Sequence, residues 1–417
     1  MAVSAPWFRV GGTLVVFLAV GSRAMAQEGL DVDHYVEIVL RAHPSAAQSA
    51  GLELAAGAER KAARLFPDPV FEYSRDRGTP AEPPGTRATE TGYSVSQTIP
   101  WPGTFSAGIR AGDRAADVLR AGAEGVRWEL AAQARQAFAR LAASRALLDV
   151  ARASDEDARS LRDLVTRRAD LGESRESDRI KATVEWLRQQ RNLAVAEREA
   201  EASEAIVRAL AVEPLPKPLA IRPMVHEPLP RLDREALSAQ IVDRSPRLRA
   251  ARAEAGRQEA LLSVARRARI PDLDVTVFKQ KELDKEANGF TVGVKVPLWN
   301  ANRGEIARAD ATRRIAGAEA ERVRIELVTE LQGRLKGLQV AGDQVTLLDR
   351  EILPAAQRSM GLVRLSFEEG ETSLLDLLDA QRTFRDTQRE AAEAHLALSL
   401  ALGEVQKLAG PDLNPWR

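Results

Sequence analysis

Between Phe105 and Leu171 the sequence carries no proline. A helix of that length would extend for roughly 100 Å at about 1.5 Å per residue. Nothing that long fits inside a compact domain, so this stretch alone excludes an ordinary globular enzyme fold. Composition agrees: aromatic residues make up only 5% of the chain, and Ala, Arg, Glu and Leu dominate the Gly-poor, Pro-poor stretches, the bias of long helices and coiled coils. Further on, Val328, Leu331, Leu335, Leu338, Gly342, Val345, Leu348 and Ile352 recur at steps of three and four. That is a heptad seam, which predicts packing against another helix. Pro354 is expected to kink or interrupt it. Ala391, Ala394, Ala397 and Ala401 on the last helix should let neighbours approach closely.

The plan occurs twice. Gly92-Tyr93-Ser94-Val95-Ser96-Gln97-Thr98-Ile99-Pro100 lines up with Gly289-Phe290-Thr291-Val292-Gly293-Val294-Lys295-Val296-Pro297, and Gly172-Glu173-Ser174 with Asp178 matches Gly370-Glu371-Thr372 with Asp376. His43-Pro44 and Pro67-Asp68 likewise correspond to Ser245-Pro246 and Pro271-Asp272. Self-similarity on this scale marks a duplicated structural unit. The expected division is a signal peptide 1–26, a first repeat 27–212, a Pro-rich connector 213–230, a second repeat 231–410 and a tail 411–417. Each repeat reads helix, strand, strand, long helix, second helix.

Within the strands, Tyr93, Val95 and Ile99 alternate with Ser94, Ser96 and Thr98, and Phe290, Val292, Val294 and Val296 alternate with Thr291, Gly293 and Lys295. A period of two gives one apolar and one polar face. Strands of about nine residues with that pattern suit a transmembrane barrel, apolar side to lipid and polar side to a lumen; a half-buried soluble sheet has the same period. The long helices favour the barrel. Four strands cannot close a sheet, and each unpaired backbone group costs several kcal/mol in lipid. Several copies must therefore share one barrel, under one ring symmetry.

Export is expected from the N-terminus: Arg9, an apolar run from Val10 to Val20, then Ala24-Met25-Ala26, the pattern of a signal peptide cleaved near Gln27. The run is about a dozen residues, short of the ~20 a membrane helix needs. There is no cysteine, so disulfides, thiolate metal sites and a lipid-bearing cysteine are all excluded. Basic and acidic residues balance at 60 each, which argues against nucleic acid as a partner. His34, His43, His226 and His395 are scattered, and neither a phosphate-binding glycine loop nor a serine-nucleophile motif occurs. No catalysis, cofactor or bound metal is expected.

Three stretches carry a resemblance to the TolC-like outer-membrane factor family. The run from Phe367 to Arg382 resembles the family's turn at the periplasmic tip with its following helix, Gly172 to Asp178 resembles the equivalent first turn, and Val296 to Ile306 is similar to the strand-to-helix junction of the CzcC-type branch, associated with heavy-metal cation efflux. The resemblance implies a homotrimer, with a twelve-stranded barrel in outer-membrane lipid and a helical tunnel through the periplasm. It also implies a periplasmic adaptor at the tip and an inner-membrane pump, of RND type, supplying energy. Asp376 and Asp379, with Asp178 in the first half, fall at the acidic aperture; Gly172, Gly370, Phe367 and Arg364 fall at the tip turns and adaptor contact. Pro100, Pro102, Gly103 and Pro297 mark the strand-helix junctions. The family's tip tyrosine and arginine are replaced by Phe367 and Thr372, leaving Arg364 or Arg175 to supply a latch. Drug or solvent efflux, type I secretion and, in another class, a periplasmic coiled-coil adaptor are the alternatives.

Overall fold

The computed structural model describes residues 29–78, 88–222, 238, 242–282, 285–296, 299 and 301–410. The expected signal peptide, the tail 411–417 and Pro297 lie outside the described residues. Helices α1 (Val32–Ala42) and α2 (Pro44–Ala62) precede strands β1 (Val70–Gly78) and β2 (Ala88–Ile99), which feed α3 (Pro102–Asp170) and α4 (Glu176–Ala211). The second half supplies α5 (Pro246–Arg267), β3 (Leu273–Lys281), β4 (Glu286–Val294), α6 (Arg303–Leu347), α7 (Leu353–Glu368) and α8 (Leu374–Ala409). Pro44, Pro102 and Pro246 each stand in a first helical turn, where a fixed φ and a missing N–H cost nothing.

Helix α3 is 69 residues long, about 100 Å, and pairs with α4 in one hairpin; α7 and α8 form another. The interruption expected at Pro354 takes the form of a π-helical turn, Leu348–Ile352, immediately ahead of it. Proline offers no N–H to the carbonyl four residues back, and a wide turn absorbs the mismatch; Leu353 N–H accordingly bonds Leu348 O.

The seam of α6 buries Leu327, Leu331, Leu335, Leu338, Val345 and Leu348 against Ala391, Ala394, Leu398 and Val405 of α8. Leu327 lies deeper than Val328, Ile352 is 38% exposed and Ala397 is exposed. A strict seven-residue pattern drifts around a 3.6-residue helix, so Leu398 takes the place expected of Ala397. In the first half, Tyr35 and Val39 of α1 pack on Phe138 and Leu141 of α3 and Val207 of α4. The Tyr35 hydroxyl donates to Val207 O at 3.0 Å, and burial pushes its pKa up. The connector is tied down where Arg208 donates to Leu215 O and Pro216 O at 2.8 and 2.7 Å.

The four strands form one antiparallel sheet in the order β1-β2-β3-β4, the two repeats joining at β2–β3. Register aligns Phe71, Val95, Val277 and Phe290 in one row, and Ile99, Leu273 and Val294 in another on the same side. All seven are exposed. Among the described residues no helix is long and apolar enough to cross a membrane.

Candidate functional site

The two helical hairpins end far from the sheet in a pair of glycine turns. Gly172 has φ 79° and Gly370 φ 83°, the left-handed region where other residues are strained. Each turn closes in the same way: Gly172 N–H donates to Ala169 O and Glu173 N–H to Arg168 O; Gly370 N–H donates to Phe367 O and Glu371 N–H to Ser366 O. These bonds satisfy carbonyls that a helix end would otherwise leave open.

Beyond the turns the halves differ. Ser373 caps α8: its Oγ accepts from Asp376 N–H at 3.2 Å, and Asp376 Oδ2 accepts from Ser373 N–H at 3.1 Å and from its hydroxyl at 2.6 Å. This capping box holds the Asp376 carboxyl below the usual carboxylate range through the Ser373 side-chain and backbone hydrogen bonds. Asp376 and Asp379 are both exposed, one turn apart. Asp178 occupies the corresponding position on α4, but Arg175 stands where Ser373 does and makes no side-chain cap. Asp178 instead meets Lys181 at 3.3 Å.

Phe367 is buried at 7% exposure in an apolar cluster with Leu161 and Val165 of α3, Ala182 of α4, and Leu374 and Leu377 of α8. One cluster thus joins both hairpins at the tip. Arg364 pairs with Glu368 on its own helix at 3.1 Å. The cross-hairpin link is Arg168. Its guanidinium lies 5.3 Å from the Phe367 ring centroid and donates to Phe367 O at 3.5 Å and Glu368 O at 3.1 Å. A cation on the last carbonyls of a helix C-terminus also matches its dipole. Sequence reasoning missed Arg168; its signal is a basic residue in the last turn of a helix, which is common. Higher in the stem, Arg385 of α8 donates to Glu185 of α4 at 2.8 Å, Glu185 being 8% exposed.

At the other end, strand gives way to helix over Pro100, Trp101 and Pro102. Trp101 N–H donates to Asp272 Oδ1 at 2.7 Å. A Cβ on Gly103 would fall 2.9 Å from Trp101 Nε1 and 3.0 Å from Arg267 Nη1, so a larger residue there would have to displace these two side chains. In the second half Asn302, at φ 55°, donates from Nδ2 to Ala265 O at 2.8 Å.

The sheet separates chemistry by face. On the exposed apolar side, the Tyr73 and Tyr93 rings meet in a tilted pair, centroids 5.1 Å apart, toward the hairpin ends; Trp101 and Trp299, 44% and 97% exposed, mark the junction end. From Tyr93 to Trp101 is about 26 Å along a strand at about 3.3 Å per residue, comparable, before tilt, with the ~25 Å apolar band between aromatic girdles of an outer-membrane barrel. The opposite face carries the acids Glu72, Asp76, Glu90 and Asp274. Ser96 and Thr276 hydroxyls meet across it at 2.8 Å, and Thr98 Oγ1 donates to Asp274 at 2.6 Å. Among the described residues no group of three or more His, Cys, Asp or Glu is placed to hold a metal ion.

This geometry recurs in known proteins. The outer membrane efflux protein family profile matches residues 237–411. The cobalt-zinc-cadmium resistance protein CzcC of Cupriavidus metallidurans is 28% identical over 283 residues, covering 67% of this chain and 68% of that protein. The nickel-cobalt-cadmium resistance protein NccC of Alcaligenes xylosoxydans xylosoxydans is 26% identical over 342 residues, covering 79% and 74%. Among solved structures, CusC superposes with a TM-score of 0.77 at 17% identity, covering 94% of this chain and 95% of that one. The profile match in the second half, the two resistance-protein relatives and the shared fold together support an outer-membrane efflux protein of the CzcC-type branch.

Proposed function

We propose that this chain is the channel subunit of a tripartite efflux pump, a passive exit duct whose cargo is heavy-metal divalent cations. The observation that carries the channel reading is the sheet: a contiguous exposed apolar side bounded by aromatic residues, with β1 and β4 left as open edges, on a stem about 100 Å long. Open edges are untenable in lipid, so copies must close one barrel, and three copies with twelve strands agree with the family. Export through a cleaved signal peptide would place the barrel in the outer membrane and the stem in the periplasm. The turns at Gly172 and Gly370 would then face a periplasmic adaptor and an RND-type inner-membrane pump.

Two observations support the cargo. The matched relatives are named for resistance to cobalt, zinc, cadmium and nickel. The face of the sheet opposite the lipid side carries Glu72, Asp76, Glu90 and Asp274 and no basic residue within the strands, and low-dielectric walls focus such a field on cations. Asp376, Asp379 and Asp178 would repeat that preference at the tip. The subunit itself performs no chemistry.

The mature protein in a planar bilayer should form cation-selective pores, and deleting its gene should raise sensitivity to zinc, cobalt and cadmium. A protein that forms no pore ends the channel reading. Pores together with sensitivity to drugs or solvents alone would replace the metal cargo with those substrates.

A further inference from the structure

Beyond the aromatic row, the apolar side of the sheet becomes basic. Arg75 and Lys281 flank Thr91 in the row above Tyr73, Tyr93 and Lys279, and Arg77 follows one step farther. All four cations are exposed, and every basic residue of the four strands is among them. The strand acids stand on the opposite face, with one exception, Glu286, which meets Lys281 at 3.5 Å. Arg75, Arg77 and Lys279 have no ion pair among the described residues. Solubility alone does not require this sorting, because an aqueous lumen would accept lysine and arginine at least as readily as a lipid-facing side.

We infer that Arg75, Arg77, Lys279 and Lys281 form a belt that binds the phosphate groups of anionic outer-leaflet lipid. The inference rests on the membrane placement proposed above, which puts the hairpin ends outermost. Three features converge there. The apolar rows seat acyl chains, the Tyr73–Tyr93 pair lies at headgroup depth where aromatic rings concentrate, and the cations follow immediately on the same side. Long basic side chains reach from the edge of an apolar band into the headgroup layer. Arginine adds a fork of donors matched to phosphate oxygens.

The test uses the mature oligomer in phosphatidylcholine nanodiscs containing equal amounts of diphosphoryl lipid A and its dephosphorylated form, with native mass spectrometry reading the lipid retained. The wild type should retain the phosphorylated lipid with a preference of about tenfold or more, since each basic residue near an anionic surface adds to the attraction. Combined Arg75→Gln, Lys279→Gln and Lys281→Gln should abolish the preference, while Arg75→Lys with Lys279→Arg and Lys281→Arg should keep it. Conductance in pure phosphatidylcholine checks that each variant is folded and inserted. A wild type that conducts without discriminating, or a glutamine variant that discriminates undiminished, overturns the belt alone. A wild type that never inserts overturns the membrane placement and the belt with it.

Discussion

Asp376 has two demands on one carboxylate. Its Oδ2 closes the capping box with Ser373, while its exposure leaves it open to the surroundings of the tip. Because the folded carboxyl sits below its ordinary value, the cap's contribution is complete above the ordinary aspartate pKa and is lost as pH falls through the lowered one. The melting midpoint of Asp376→Ala should therefore lie below that of the wild type at neutral pH, and the gap should narrow as the pH falls below the ordinary aspartate range; a gap undiminished in acid would count against the box. Arg175 offers the converse experiment. Serine there would recreate the box with Asp178, and Arg175→Ser should stabilise the α4 start by about 0.5–1 kcal/mol, read from a chemical-denaturation midpoint. Arg168 couples the two hairpins through main-chain carbonyls. Arg168→Ala should loosen the tip and raise single-channel conductance, whereas Arg364→Ala, which breaks only an exposed pair within one helix, should change it little.

At the scale of elements, the α6 seam decides whether the second half holds together. Leu335 is fully buried in the cluster that α6 shares with α8, so Leu335→Ala should cost about 2–5 kcal/mol and show as a lower unfolding midpoint; a loss under half a kcal/mol would mean the seam is not packed as described. The seam, the strands and the two glycine turns are legible in sequence because each follows a local rule: a period of three and four, a period of two, or a left-handed residue after a helix. The shift from Ala397 to Leu398 is not, since it depends on how the stripe drifts along a real helix. Nor is the π turn, where the position of Pro354 predicts an interruption but not its form. Arg168 and Asp272 escape for a different reason. Each serves backbone groups more than a hundred residues away, and no sequence period records a tertiary hydrogen bond. The segregation of strand charge becomes visible only once register shows that Arg75, Lys279 and Lys281 share one side.

For the whole molecule, the single chain leaves its long elements half-dressed. Ile180, Val184, Leu187, Val195 and Ile206 of α4 are 42–56% exposed, and at 100° per residue they fall within one arc of roughly a third of the helix surface. This row of exposed apolar residues, with the exposed Arg191 and Arg198 interspersed in the same arc, marks a contact surface along the stem, and the partner that the open edges of β1 and β4 call for is another copy. If the same ring closes barrel and stem, lateral packing along α4 and edge pairing in the sheet are two halves of one assembly. Val184→Glu with Leu187→Glu places two carboxylates in that contact while leaving the core of the single chain untouched, because both positions already face outward. Far-ultraviolet circular dichroism of the detergent-solubilised protein should stay helical, native mass should drop from oligomer to single chain, and pore formation should disappear. An assembly that survives both charges at full mass would show that α4 is not where neighbouring chains meet.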